Sequence, residues 1–490
     1  MTTTHQKIKD NFHQISAQWD NDIIPQLEQY IRIPCKSPMF DKQWQTNGHI
    51  MKAMQLLKHW CEKQSIKNKK IEIVQIDNRT PVMLIDIPGD SDKTILLYGH
   101  MDKQPEMVGW DDGLDAWTPV IKDGKLYGRG GADDGYAVFS ALNAIAYLQS
   151  LNIPHAHCVV LIEATEESGS FDLPPYLKLL EKQIGQPDLV ICLDSESGNY
   201  DQLWGTTSLR GLIGGDLHID TLQNGIHSGY GSGVAPSVFH ILRQLLDRIE
   251  DPNNGKIQVE DLFVTIPESR LKQIKETAAT LGDEFIQGVP FLEGVQPLCH
   301  DTEELILNRT WRPALSIVGI DGVPSTSNAG NVTLPTLSVK LSLRVPPTCD
   351  AKKASIALKE ILENNPPFGA KVEYHAEKNA RGWHAPELAD WLAKASNTAS
   401  QLFFGKDTAY LGIGGTIPFM GMLSEMFPKA QFLITGVLGP QSNAHGPNEF
   451  LQIDYVKKLT GCVASVIAAH YEKGLSILLK SGAYEISHVA

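Results

Sequence analysis

Five short stretches of the chain bring imidazoles and carboxylates to places where they could hold a cation. The first is Gly99-His100-Met101-Asp102, closing the apolar run TILLYGH. In His-x-Asp the carboxylate can accept the proton of one ring nitrogen, which fixes the tautomer and strengthens the other nitrogen as a ligand. The second is Gly128-Arg129-Gly130-Gly131-Ala132-Asp133-Asp134-Gly135. It opens like a nucleotide-binding G-x-G-x-x-G, but Asp133 stands in the final glycine's place and would repel a pyrophosphate. Asp133 is left either as a helix cap or as a carboxylate that bridges metals. The third stretch, Glu166-Glu167, ends HCVVLIEATEE, and the fourth, Asp194, ends DLVICLD. Carboxylates directly after buried runs are costly unless neutralised, or the strand has already emerged into water. The fifth is His445, within the turn-forming stretch Ser442-Asn443-Ala444-His445-Gly446-Pro447-Asn448.

The elements that must position these residues follow from periodicity. TILLYGH, HCVVLIEATEE and DLVICLD are nearly continuous apolar runs, as in strands buried on both faces of a mostly parallel sheet. Residues 133–151 read as a helix between the first two runs, and 22–33 and 47–65 also have helical spacing. The first four candidates lie roughly thirty residues apart, about one βα unit each, so they collect at the carboxyl edge of one sheet, where α/β folds bind ligands. From about residue 211 the pattern changes. In TLSVKLSLRV, Leu337, Val339, Leu341, Leu343 and Val345 share one face and Ser338, Lys340, Ser342 and Arg344 the other. GLIGGDLHID alternates too, and helical patterns at 236–250 and 351–364 accompany the pair. A smaller α+β domain therefore interrupts an α/β one, with segments at 1–210, 211–383 and 384–490. Mixed imidazole and carboxylate ligands without thiolates suit Zn²⁺, with Mn²⁺ or Co²⁺ as alternatives. Five ligands plus a spare glutamate suit two cations and a bridging water.

The chain has 490 residues, enough for two or three domains, and its 42 % hydrophobic and 20 % charged residues are ordinary for a globular protein. Lys plus Arg is 43 against 57 for Asp plus Glu, a net charge of −14 that argues against a nucleic-acid partner. The start, MTTTHQKIKD, has no apolar stretch of a secretory signal, and no run is long enough to cross a bilayer. Seven scattered cysteines, odd in number and never spaced CxxC, argue against a thiolate zinc site and a disulfide framework. A soluble, reduced, cytoplasmic protein is expected.

In the order GHMD, GRGGADDG, EATEES, LDSES and NAHGPNE the chain resembles the M20 family of co-catalytic metallopeptidases, above all the branch of cytosolic non-specific dipeptidases and carnosinases. The resemblance implies a zinc-peptidase-like α/β domain interrupted by a ferredoxin-like lid and dimerisation domain. It implies that His100 and Asp194 bind one metal, Glu167 and His445 the other, and that Asp133 bridges them. Asp102 would orient His100, and Glu166 would be the general base. In the lid, His227 of NGIHSG resembles an active-site histidine that reaches across a dimer. Asn331 of NVTLP, Arg344 of SLRVPP and Gly415-Thr416-Ile417 of GGTIP match substrate-binding positions. The chain departs from the branch at DDGY after the bridging aspartate, at LDSES, and at the threonine of GGTIP. These departures bear on the substrate and not on the metal site. The expectation is a homodimeric di-metal hydrolase that cleaves the amide bond of dipeptides or similar small carboxylate-bearing substrates. The alternative is an N-acyl amino acid deacylase with the same chemistry, and behind it a non-catalytic binding protein on this fold.

Overall fold

The apolar runs become the interior of a six-stranded sheet. The structure, a computed structural model, describes residues 3–480. Numbered along the chain, strands β1 (Lys70–Val74), β2 (Val82–Ile87), β3 (Thr94–His100), β4 (His157–Glu163) and β5 (Leu189–Cys192) belong to a first unit. Strands β6 (Gly211–Asp220), β7 (Ala314–Asp321), β8 (Thr336–Val345) and β9 (Lys371–Ala380) belong to a second, and β10 (Gln431–Ile434) returns to the first. The first sheet has the order β1-β2-β4-β3-β5-β10. Strand β3 runs parallel to β4 and β5, and β10 parallel to β5, while β2 is antiparallel to both β1 and β4. Every residue of β3 is buried, as a central strand covered on both faces requires. The pairings Tyr98↔Leu161, His100↔Glu163 and Tyr98↔Cys192 align the carboxyl ends of β3, β4 and β5, so the loops after all three leave the sheet at one edge.

Helix α1 (Ala137–Ser150) packs on β3 and β4 and begins four residues later than its apolar pattern suggests. Asp133 (φ −120°, ψ 93°) and Asp134 (φ −125°, ψ 26°) are not helical. The Asp134 carboxylate instead accepts the His100 N–H at 3.1 Å. Gly99 makes this approach feasible: a Cβ there would lie 2.5 Å from the Ala137 Cβ and 2.7 Å from Asp134 Oδ2.

The second unit comprises residues 207–384 with 412–421. Its four antiparallel strands have the order β7-β8-β6-β9, with helices α2 (Val238–Leu246) between β6 and β7 and α3 (Ala351–Glu363) between β8 and β9. Numbered within the unit the order is 2-3-1-4 in a βαββαβ chain, the ferredoxin-like arrangement. Along β8, Leu337, Val339, Leu341, Leu343 and Val345 are buried and join the unit's own core. Residues 412–421, expected with the segment 384–490, group with this unit instead. The start of the insertion holds them: Arg210 Nε donates to the Gly414 carbonyl at 3.1 Å, and the Thr416 hydroxyl donates to the Arg210 carbonyl at 2.6 Å. All seven cysteines are free thiols, and among the described residues no helix is long and apolar enough to cross a membrane.

Candidate metal centre

His100, Asp133, Glu166, Glu167, Asp194 and His445 lie more than three hundred residues apart at the extremes, yet the sheet edge gathers all six. Two sets of three ligand atoms each lie within 4.8 Å of one another: His100, Asp133 and Asp194, and Asp133, Glu167 and His445. Asp133 belongs to both. Its Oδ1 is 3.3 Å from His100 Nε2 and its Oδ2 is 3.1 Å from His445 Nε2. Asp194 Oδ2 stands 3.7 Å from His100 Nε2, and Glu167 Oε2 stands 3.2 Å from His445 Nε2. Asp133 caps no helix, since α1 starts after Tyr136 without a side-chain cap. His445 is the solvent-side member, with its side chain 57 % exposed. It sits in the left-handed region (φ 66°), as do Asn443 and Asn448 beside it.

Asp102 lies beside His100, as the His-x-Asp spacing suggests, and has a second task. The nearest acceptor to His100 Nδ1 is the Asp102 backbone carbonyl at 3.1 Å, and the carboxylate is 3.5 Å away. That carboxylate also accepts the backbone N–H of Glu166 on one oxygen and of Glu167 on the other, both at 3.1 Å. It therefore braces the turn that presents both glutamates. Gln104, which sequence reasoning passed over, donates to Glu167 Oε2 at 2.6 Å. Glu166 Oε2 lies 4.0 Å from His100 Nε2.

The electrostatics call for positive charge. Burial, joined by the charge of Asp194, holds Glu166 well above the usual carboxylate range. Burial also pushes Asp194 up to about 6. Burial works against the charged form of His100, yet Asp102, Asp133 and Asp194 together carry its pKa well above the ordinary imidazole value. Divalent cations would meet that demand, since ligating carboxylates must be ionised and ligating imidazoles neutral. Two buried atoms fit that demand: among the described residues, His100 Nε2 and Glu167 Oε1 have no hydrogen-bond partner, a costly state unless a ligand completes them.

The lid candidates fall in the second unit. His227 and Asn331 are neighbours across a short ladder, with His227 paired to Val332 and the Ser228 N–H donating to the Asn331 carbonyl at 2.8 Å. His227 is exposed, and its Nδ1 accepts the Gly229 N–H at 3.0 Å. Arg344 Nη1 donates to the Thr416 hydroxyl at 2.8 Å. Burial alone lowers the Arg344 pKa, and Gly415 and Ile417 flank Thr416 in the same half-buried loop.

Nitrogen and oxygen ligand sets sharing one carboxylate, with a spare glutamate beside them on an α/β sheet edge, are the architecture of a metal-dependent hydrolase. The model of peptidase family M20/M25/M40 matches residues 96–469. The chain belongs to that family and is a metallopeptidase. It is 29 % identical over 387 residues to the cysteinylglycine-S-conjugate dipeptidase of Corynebacterium striatum, covering 76 % of this chain and 80 % of that one. It is 28 % identical over 404 residues to a Cys-Gly metallodipeptidase of Saccharomyces cerevisiae, covering 76 % and 78 %. The fold is shared with human carnosine dipeptidase 1, at a TM-score of 0.78 and 21 % identity over 96 % of this chain and 99 % of that one.

Proposed function

We propose that the chain is a two-cation dipeptidase that hydrolyses the amide bond of small peptides with a free carboxylate. The single observation that carries this reading is Asp133, whose two oxygens face two different histidines at the centre of two ligand sets. His100 and Asp194 would hold one cation, Glu167 and His445 the other, with Asp133 common to both. Zinc fits this donor set, as do manganese and cobalt. Bound there, two cations would supply a water of lowered pKa and Lewis-acid polarisation of the scissile carbonyl. Glu166, 4.0 Å from His100 Nε2 and outside both ligand sets, would take the proton of the attacking water and return it to the leaving amine. Asp102 holds Glu166 and Glu167 through their backbone N–H groups. The dipeptidase names of the relatives support peptides over N-acyl amino acids as substrates. A panel of dipeptides and their N-acetylated counterparts tests this. Hydrolysis confined to free N-terminal amines is expected, and preference for the acylated set would favour the deacylase.

Arg344, with Thr416 beside it and Gly415 and Ile417 flanking, is assigned to the substrate's terminal carboxylate. Arg344→Met should raise KM for dipeptides by about 10–100-fold, the worth of one charge-assisted hydrogen bond. Dipeptide amides, which lack that carboxylate, should show no such change in a steady-state comparison.

His227 and Asn331 are assigned to oxyanion stabilisation, with His227 acting from the partner subunit of a cytoplasmic homodimer formed through the lid. His227→Ala should lower kcat by about 10²–10³-fold, the scale of one lost oxyanion donor, with metal content unchanged. Mixing it with Glu166→Gln subunits should restore activity towards about a quarter of wild type. Random pairing makes half the dimers mixed, and each mixed dimer repairs one of its two sites. No recovery after verified subunit exchange would mean that His227 serves its own chain or no site.

A further inference from the structure

The motifs that supply Asp133 and His445 also carry two charged residues with no part in the chemistry above, Arg129 and Glu449. Both side chains are fully buried, 1 % and 0 % exposed, and they pair at 2.5 Å between Arg129 Nη1 and Glu449 Oε2. A buried ion pair is a weak way to stabilise a fold, because desolvation offsets most of the attraction. What this pair touches is more telling. Glu449 Oε1 accepts the Gly130 N–H at 2.9 Å, with the N–H groups of Ala132 and Asp133 at 3.4 Å. The turn that presents Asp133 is thus wrapped around this carboxylate. Gly130 (φ 79°) permits the wrap, since a Cβ there would lie 2.6 Å from the Lys103 side chain. Arg129 uses its other donors on two further loops: Nη2 on the Gly446 carbonyl at 2.6 Å, directly after His445, and Nε on the Pro105 carbonyl at 3.0 Å, directly after Gln104. Gln104 in turn holds Glu167.

One side-chain pair therefore fixes the loops behind all three members of the Asp133–Glu167–His445 set. Its direct contact with the His100–Asp133–Asp194 set is at Asp133. We propose that Arg129 and Glu449 are positioning residues that set the affinity of the Asp133–Glu167–His445 site for its cation, separately from the other site. The inference rests on the two-cation reading of the centre.

The test is calorimetric titration of Zn²⁺ into metal-stripped full-length protein, with circular dichroism as the check on folding. Two variants are used. Arg129→Lys keeps the charge opposite Glu449 but loses the planar fork that spans the loops. Arg129→Met with Glu449→Gln removes both charges and leaves neither unpaired. In each, one cation should bind as in wild type and the other about 10–100-fold more weakly, the usual scale of losing support behind metal ligands. Added to His445→Ala, Arg129→Lys should weaken that site by less than the two single changes summed, because both act on it, and should leave the other cation's constant unchanged. The proposal is overturned if a folded variant binds both cations like wild type, or loses both equally. It is also overturned if Arg129→Lys fails to fold, since the pair would then be holding the fold and not the site. Fewer than two cations in the wild type would instead overturn the two-cation reading beneath it.

Discussion

Glu166→Gln is expected to lower kcat by about 10²–10⁴-fold, the contribution of a positioned general base, while both cations stay bound. The two halves of this expectation come from different observations. Glu166 lies on the same braced turn as Glu167, but it stands outside both sets of converging ligand atoms. Its carboxylate is 4.0 Å from His100 Nε2, and burial beside Asp194 keeps its affinity for a proton high. Glutamine preserves shape and the backbone contacts of the turn yet cannot take a proton. Metal analysis and steady-state kinetics on one preparation check it. Loss of a cation from this variant would exchange the roles of Glu166 and Glu167, and near-normal turnover would remove Glu166 from the reaction.

Asp133→Ala is expected to abolish activity and empty both sites together. Two divalent cations a few ångströms apart repel strongly, and the shared anion is what offsets that repulsion. Asp133 is buried and its oxygens point at His100 and His445, the imidazoles of the two sets. His445→Ala, in contrast, should weaken one cation and spare the other, because His445 belongs to a single set. Cation counts after dialysis separate the two patterns. A full complement of metal in Asp133→Ala would deny it the bridging role.

How much of this was legible in the sequence depended on distance along the chain. The strand ending in His100 was legible because β3 is buried throughout and reads as one apolar run. The alternation of β8 was equally plain, since one face packs on the lid's core. Candidate ligands could be placed at strand ends because parallel pairing leaves those ends together. Other features depend on partners remote in sequence. The late start of α1 follows from Asp134 bonding to the backbone of His100, which no helix pattern records. Asp102 stands beside His100 as its His-x-Asp spacing suggests, but that its carboxylate also serves a turn more than sixty residues on is recorded by no local pattern. Residues 412–421 sit with the second unit because Arg210, two hundred residues earlier, ties them there. Arg129 and Glu449 lay inside the motifs that drew attention, but only the folded chain shows that they meet.

The central claim is that this sheet edge holds two cations and uses them on dipeptides. Its most direct test is to strip the purified protein of metal, add Zn²⁺ back in measured equivalents, and follow hydrolysis of a dipeptide library at each step. Activity should be absent from the stripped protein and should reach its plateau at two equivalents per chain. Full activity without metal, a plateau at one equivalent, or a fully loaded protein that cleaves no dipeptide would contradict the account.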